Sequence, residues 1–272
     1  MFTLAELEKV IPLVRASIPP TPQYAWPLLK LQTDVEVIVK HENHTPIGAF
    51  KVRGGIVYFD RLDEAKEQAI RIASERGLEY APSFHRDFVI GVATYAHELF
   101  RAVDDLDTVY VPIGLGSGIC GLIGTRDALG LKTKIVGVVS EAANAYFRSF
   151  TAGRVVETNS AFTFADGMAV RVPDPIALEV IRKDAERVVE VSDDEIAEAI
   201  RNIYTATHNC AEGAGAAALA ALCKERGRLQ GRRVAVILTG QNIDHAWMQN
   251  VLSGITPDVL AVTGRVHTGI AQ

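Results

Sequence analysis

The chain has 272 residues, of which 48% are hydrophobic, so it is long enough for one large or two ordinary domains with a substantial core. Its formal net charge is -5, and it has no basic tract and no interleaved aromatic and basic residues. This composition argues against nucleic acid as a partner and favours a small molecule.

Cysteine content and apolar run lengths indicate where the protein resides. The three cysteines, Cys120, Cys210 and Cys223, are odd in number and match no metal-binding spacing, which is typical of reduced thiols. The first residues are acidic where a secretion signal is cationic, and no uninterrupted apolar run approaches ~18 residues. We therefore expect a soluble, cytoplasmic protein that neither enters a membrane nor binds a metal.

Helix-like and strand-like segments alternate along the chain. The predicted helices are 4–17, 52–62, 63–77, 88–102, a helix from the glycine loop to about 130, 142–151, 176–187, 192–204, 212–224 and 245–253. The predicted strands are 35–39, 108–112, 133–139, 188–191 and 234–238. A capping box starts the helix at Ser192, and residues 153–173 are expected to be irregular. This alternation predicts an α/β fold with a doubly wound, mainly parallel sheet.

Three segments follow predicted strands at the edge where such sheets bind ligands. They are the turn that ends at Lys51, the glycine-rich loop after Pro112, and residues 239–242 after the last strand. Successive backbone N–H groups and a helix N-terminus let the glycine loop hold a phosphate, although glycine is also common in tight strand-to-helix turns. No Gly-Lys-Ser/Thr follows, so the loop is not a nucleotide-binding Walker loop.

Lys51 on its own is typical of a solvated surface lysine. Beside a phosphate-binding loop and a hydroxyl at a strand end, however, the same lysine could form an imine with a phosphate-bearing cofactor. A strand-end hydroxyl could then meet the ring nitrogen of that cofactor. Together the three segments indicate pyridoxal phosphate chemistry.

The chain resembles the fold-type II pyridoxal-phosphate enzymes, the family of threonine and serine dehydratases and serine racemases, whose fold is that of the tryptophan synthase β chain. Residues 40–54 are similar to the family's Lys-x-Glu-x-x-x-Pro-x-Gly-Ser-Phe-Lys-x-Arg-Gly motif, with Ala49 where serine is usual. The resemblance implies that Lys51 is the Schiff-base and catalytic lysine and that Phe50 lies beside the cofactor ring.

Further motifs carry the resemblance to the phosphate and the ring nitrogen. Residues 111–117 are similar to the family's Val-Pro-x-Gly-Gly-Gly-Gly, and 239–242 to its Ser-Gly-Gly-Asn, which implies that Thr239 bonds the ring nitrogen. The N–H groups implied to bind phosphate are those of Gly114, Leu115, Gly116, Ser117 and Gly118. Two of these positions lack glycine, which backbone donation tolerates only with negative φ angles. The Glu212 segment resembles a helix start of the family, and close packing explains it equally well.

One family segment has no counterpart in this sequence. In the family a Ser-x-Gly-Asn-His-Gly loop and further βα units follow the lysine helix, whereas here residue 62 runs directly into a charged helix. About two βαβ units, at roughly 30 residues each, are missing. Three explanations remain open: a natural deletion, an engineered deletion, or a segment that the sequence leaves out. The resemblance implies a large cofactor-binding domain at 1–52 and 103–272, with 53–102 as the remnant of a truncated small domain.

The resemblance implies dehydration and deamination of a hydroxy-amino acid of the L-threonine or L-serine type to a 2-oxo acid and ammonia, by a homodimer. Racemisation, or dehydration of a modified amino acid such as one from hydroxyectoine breakdown, remains open. A catalytically inactive scaffold with the same fold is the alternative of another class. Some relatives bind a metal through an acidic residue where this chain has Val139, so we expect no metal.

Overall fold

The structure of the chain is a computed structural model that describes residues 1–64 and 84–259. Its strands are β1 (Gln23–Ala25), β2 (Glu36–His41), β3 (Thr108–Pro112), β4 (Lys134–Ser140), β5 (Arg187–Val191) and β6 (Arg233–Leu238). They form one sheet in the order β1-β2-β6-β3-β4-β5. Only the β1–β2 pair is antiparallel among the strand pairs of the described residues.

The mainly parallel sheet confirms the predicted fold class. The five predicted strands are all present, each with ends within two residues of the prediction. Strand β1 was not predicted, because three residues beside a proline-rich segment are too few to show an alternating pattern. It extends the sheet by pairing Gln23 with Lys40.

Helices precede the first strand, occupy the connections between the strands and follow the last one. They are α1 (Leu4–Ser17), α2 (Pro27–Thr33), α3 (Lys51–Glu64), α4 (Arg86–Ala102), α5 (Ser117–Ala128), α6 (Ala145–Ala152), α7 (Pro175–Asp184), α8 (Asp193–Thr207), α9 (Gly213–Glu225) and α10 (His245–Leu252). The capping box at Ser192 is confirmed, with Glu195 as its reciprocal partner. The short helix α2 was not predicted, and Arg187 belongs to β5 rather than to the preceding helix. The predicted helix at 63–77 lies outside the described residues from position 65 onward.

The two faces of the sheet carry separate apolar clusters, as expected for helices on both sides. Val109 and Val111 point into the cluster that includes residues of α1, α4 and α5, whereas Tyr110 between them points into the other. This alternation is the two-residue period of a strand. The second cluster contains the small side chains of α9, and a Cβ added at Gly215 would lie only 2.4 Å from Gly240 O. Close packing of this glycine- and alanine-rich helix is therefore present.

Helices α3 and α4 cross at two glycines. A Cβ added at Gly91 would lie 2.4 Å from Arg53 O, and one added at Gly54 would lie 2.7 Å from Phe88 O. Both helices share their apolar cluster with α1 and α5. The assignment of residues 53–102 to the remnant of a small domain stays a prediction.

We expect Gly91→Ala to lower the free energy of unfolding by about 1–3 kcal/mol, because the added methyl group meets fixed backbone atoms. Gly55→Ala is the matched control, since a Cβ there would meet no atom of the described residues within 4 Å. Replacing glycine by alanine within a helix is then worth roughly 0.5–1 kcal/mol of added stability. Urea unfolding of both variants checks this, and equal stability of the two would contradict the tight crossing.

A buried cluster of four charged side chains joins β2, α3 and α4. Arg53 donates to Glu42 Oε2 and Glu98 Oε1, each at 2.8 Å, and Lys40 Nζ donates to Glu98 Oε2 at 2.6 Å. Lys40, Glu42 and Arg53 are 0% exposed and Glu98 is 7% exposed. Burial by itself lowers the pKa of Arg53, but the two facing carboxylates outweigh it, so the pKa is raised. Two cations and two anions leave the cluster neutral.

Candidate active site

An open pocket of about 540 Å³ lies where β3 and β6 end and where α3 begins. It contains all eight residues that the sequence motifs singled out. They are Phe50, Lys51, Gly114, Leu115, Gly116, Ser117, Gly118 and Thr239. The structure thus brings together three segments that lie far apart in sequence.

Lys51 is the first residue of α3, and the turn before it is tied to the loop after β6. Phe50 N donates to Thr239 O at 3.0 Å, and Thr45 Oγ1 closes the turn on Ala49 N at 2.9 Å. Lys51 itself is exposed and lines the pocket. Hydrogen bonds therefore fix the backbone just before Lys51, while the side chain of Lys51 remains accessible.

The glycine-rich loop presents free backbone donors at one end of the pocket. None of the N–H groups of residues 114–118 donates to another of the described residues. Gly116 has φ 102°, whereas Leu115 and Ser117 are not among the described non-glycine residues with positive φ. The chain thus keeps glycine at the loop position where φ is left-handed. Because α5 begins at Ser117, its N-terminal dipole adds to the attraction for an anion. We call residues 114–118 the anion cradle.

Thr239 provides a hydroxyl where β6 ends. The residue is 3% exposed, lines the pocket, and its hydroxyl makes no hydrogen bond to any other described residue. It can therefore donate to or accept from a ligand without first giving up a partner.

Glu212, which the sequence left equally open to packing, lines the pocket. Its carboxylate accepts a hydrogen bond from Asn242 N at 3.1 Å and lies over Gly240, where an added Cβ would be 2.6 Å from Oε1. Burial raises the pKa of Glu212, the nearby Lys51 amine opposes this rise, and Asp166 adds to it. A half-buried carboxyl group thus lines the same pocket as the lysine and interacts with it electrostatically.

Sequence reasoning missed several residues of the pocket wall. Asp166 and Gly167 come from the segment expected to be irregular, and Phe88 and Val92 lie on α4. None of the sequence motifs covers these positions, and the spacing of the two residues in α4 is simply that of a helix face. Only the packing of α3 on α4 and of residues 166–167 against the anion cradle brings them to the pocket.

We expect Glu212→Gln to stabilise the protein increasingly as pH rises above 4.5, the ordinary glutamate value. A folded-state pKa above the unfolded value means that the native state binds more protons across this window, so stability falls as pH rises through it. Glutamine carries no such penalty and still accepts the Asn242 N–H. Thermal unfolding of both proteins from about pH 4 to pH 8 measures the difference. A constant difference over that range would contradict the raised pKa.

The pocket fits pyridoxal phosphate in three places. The unpaired N–H groups of the anion cradle match a phosphate, the accessible Lys51 amine matches an aldehyde, and the Thr239 hydroxyl matches a ring nitrogen. Within residues 1–64 and 84–259, no group of three or more His, Cys, Asp or Glu side chains is arranged to hold a metal ion. Over the same residues, no helix has the length and hydropathy required to cross a membrane.

The pyridoxal-phosphate dependent enzyme family matches residues 56–240. Since the match covers more than half of the chain, the chain belongs to this family. The matched range begins at residue 56, so it does not include Lys51. The assignment of Lys51 therefore depends on the motif at residues 40–54 and not on this match.

The particular relatives agree with this family. The chain is 31% identical over 201 residues to a threonine dehydratase of Nicotiana attenuata, covering 72% of this chain and 33% of the relative. It is 31% identical over 193 residues to an L-threonine ammonia-lyase of Thermotoga maritima, covering 71% of this chain and 48% of the relative. The chain therefore spans a third to a half of the length of these relatives.

The fold agrees as well. The crystal structure of a threonine deaminase from T.th. superposes with a TM-score of 0.77 at 25% identity, covering 89% of this chain and 99% of that chain. The chain therefore has the architecture of a fold-type II pyridoxal-phosphate enzyme.

Proposed function

We propose that this protein binds pyridoxal phosphate through Lys51 and converts a hydroxy-amino acid of the L-threonine or L-serine type to a 2-oxo acid and ammonia. The convergence of Lys51, the anion cradle and Thr239 on one pocket is the observation that carries the proposal. Relatives named threonine dehydratase and L-threonine ammonia-lyase support the choice of reaction.

Each residue has a separate task in this proposal. The anion cradle binds the phosphate of the cofactor, Phe50 packs beside its ring, and the Thr239 hydroxyl bonds the ring nitrogen. When bound, pyridoxal phosphate supplies an electron sink that acidifies the α-carbon of the amino acid. A neutral hydroxyl partner leaves that sink weaker than a carboxylate would, which suits elimination and limits side reactions.

We assign the two proton transfers of the reaction to Lys51 and Glu212. Lys51 Nζ takes the proton from the α-carbon of the amino acid, acting as general base. The β-hydroxyl group leaves as water and requires a proton, for which Glu212 is suited by its raised pKa. The enamine product is hydrolysed to the 2-oxo acid and ammonia, so the water that is lost is regained.

The test measures 2-oxo acid and ammonia released from L-threonine and L-serine by the purified protein with added cofactor. Equal amounts of both products are expected. Release of a D-amino acid in their place would support racemisation instead. An intact mass is measured on the protein before cofactor is added, because a value clearly above 29.5 kDa would place additional residues in the molecule.

The second candidate is a catalytically inactive scaffold, favoured by the lack of the family's Ser-x-Gly-Asn-His-Gly loop in this sequence. An absorbance band of lysine-bound cofactor, without turnover of either amino acid, would support it.

We also propose a homodimer in the cytoplasm. The family resemblance supports the dimer and the free thiols of Cys120, Cys210 and Cys223 support the compartment; light scattering and cell fractionation test the two.

A further inference from the structure

Two buried tyrosines hold carbonyl groups of the anion cradle. Tyr146 Oη, on α6, donates to Leu115 O at 3.0 Å and accepts from Asp174 N at 3.1 Å. Tyr95 Oη, on α4, donates to Gly118 O at 3.3 Å. The two residues are 1% and 0% exposed, and neither is part of the pocket lining. Hydroxyl groups from two different helices thus form hydrogen bonds to the cradle.

These hydrogen bonds orient N–H groups as well as carbonyls. In a trans peptide the C=O of one residue and the N–H of the next lie in one plane and point in opposite directions. Holding the Leu115 carbonyl toward Tyr146 therefore turns the Gly116 N–H to the other side. Holding the Gly118 carbonyl has the same effect on the N–H of Ile119, the residue that follows the cradle. Neither the Gly116 N–H nor the Ile119 N–H donates to another described residue.

A glycine-rich loop needs such restraint. Glycine has more backbone freedom than any other residue, so a loop with three glycines loses much entropy when an anion orders it. Restraint in the free protein removes part of that cost from binding. Burial raises the pKa of both tyrosines well above the usual range, so both hydroxyls keep the proton that they donate.

We propose that Tyr146 and Tyr95 are positioning residues that hold the anion cradle ready for the phosphate of the cofactor. The inference rests on the proposed function, because it takes the phosphate of pyridoxal phosphate as the ligand. It adds two residues that bond the cradle and do not themselves line the pocket.

The test compares pyridoxal phosphate with pyridoxal, which has the same aldehyde and ring but no phosphate. Both are titrated into wild type, Tyr146→Phe, Tyr95→Phe and the double variant, with binding followed by absorbance. Loss of the hydrogen bond to a cradle carbonyl is expected to weaken binding of pyridoxal phosphate by about 5- to 10-fold, and binding of pyridoxal by less than about twofold. The double variant should lose more than either single variant.

Tyr110→Phe is the matched control. Tyr110 is also 0% exposed, and its hydroxyl donates to Glu225 Oε2 at 2.7 Å and accepts from Arg187, away from the cradle. This variant should lose thermal stability and keep the wild-type ratio of the two affinities. A loss of the ratio in Tyr110→Phe as well would mean that any buried tyrosine hydroxyl matters, which would overturn the inference.

The outcomes separate the inference from the proposed function. If wild type binds pyridoxal phosphate no more tightly than pyridoxal, the phosphate site fails and the inference fails with it. If wild type prefers pyridoxal phosphate and the tyrosine variants keep that preference, only the inference is overturned. Should Tyr146→Phe not fold, Tyr95→Phe and the rise in melting temperature on adding inorganic phosphate decide, with a smaller rise than in wild type expected.

Discussion

Lys51→Ala is expected to lose the absorbance band of lysine-bound pyridoxal phosphate and to lower turnover of L-threonine and L-serine by at least about a thousandfold. In the proposed reaction this amine both anchors the cofactor and takes the α-proton, and loss of a general base alone is typically worth about 10²–10⁴-fold. Borohydride reduction of wild type followed by peptide mapping should find the cofactor on Lys51. Absorbance, turnover and mapping are independent measurements of one assignment.

The controls for Lys51 separate chemistry from charge and folding. Lys51→Arg keeps a cation at the start of α3 but cannot form the covalent attachment, so it should lose the same absorbance band. Lys132→Ala removes an exposed lysine before β4 and should change neither the band nor turnover. Full activity of Lys51→Ala would show that another group performs the reaction.

Arg53→Leu is expected to lower the free energy of unfolding by about 3–5 kcal/mol, the usual cost of removing one member of a buried ion pair. Arg53 bonds Glu42 and Glu98, and without it two buried carboxylates face Lys40 alone. A neutral cluster would become one with a net negative charge and unsatisfied acceptors. Urea unfolding with circular dichroism measures the loss.

A surface arginine provides the comparison for Arg53. Arg232 pairs with Asp107 at 2.7 Å, but its side chain is 43% exposed. Exposed pairs of this kind contribute about 0–1 kcal/mol, so Arg232→Leu should cost much less. Losses of similar size in the two variants would contradict a special role for the buried cluster.

The local pattern of the chain was enough to predict most of the fold. Strand β3 (Thr108–Pro112) and the capping box at Ser192 are where the sequence places them, because both depend on neighbouring residues. Strand β1 and helix α2 were missed, since elements of three and seven residues are too short for periodicity. Their positions depend on pairing with β2 and on burial of Leu29.

The candidate site likewise contains residues that sequence motifs predicted and residues that only packing places there. Lys51, Gly116 and Thr239 lie in motifs whose residue types state their chemistry, and all three line one pocket. Asp166 and Tyr95 carry no such signal, because an aspartate in an irregular segment and a tyrosine in a helix are common in any chain. The place of Asp166 in the pocket lining and the bond of Tyr95 to the anion cradle follow only from how distant segments pack.

By itself the sequence determined the fold class, the family motifs and the residues that could bind a phosphate-bearing cofactor, because each of these is written in short stretches of chain. Only the tertiary structure decided that Glu212 shares a pocket with Lys51, that two tyrosines hold the anion cradle and that four charges share one buried cluster. These interactions join residues up to 161 positions apart, as in the electrostatic interaction between Lys51 and Glu212. Their energies depend on burial and distance, which exist only once the chain has folded.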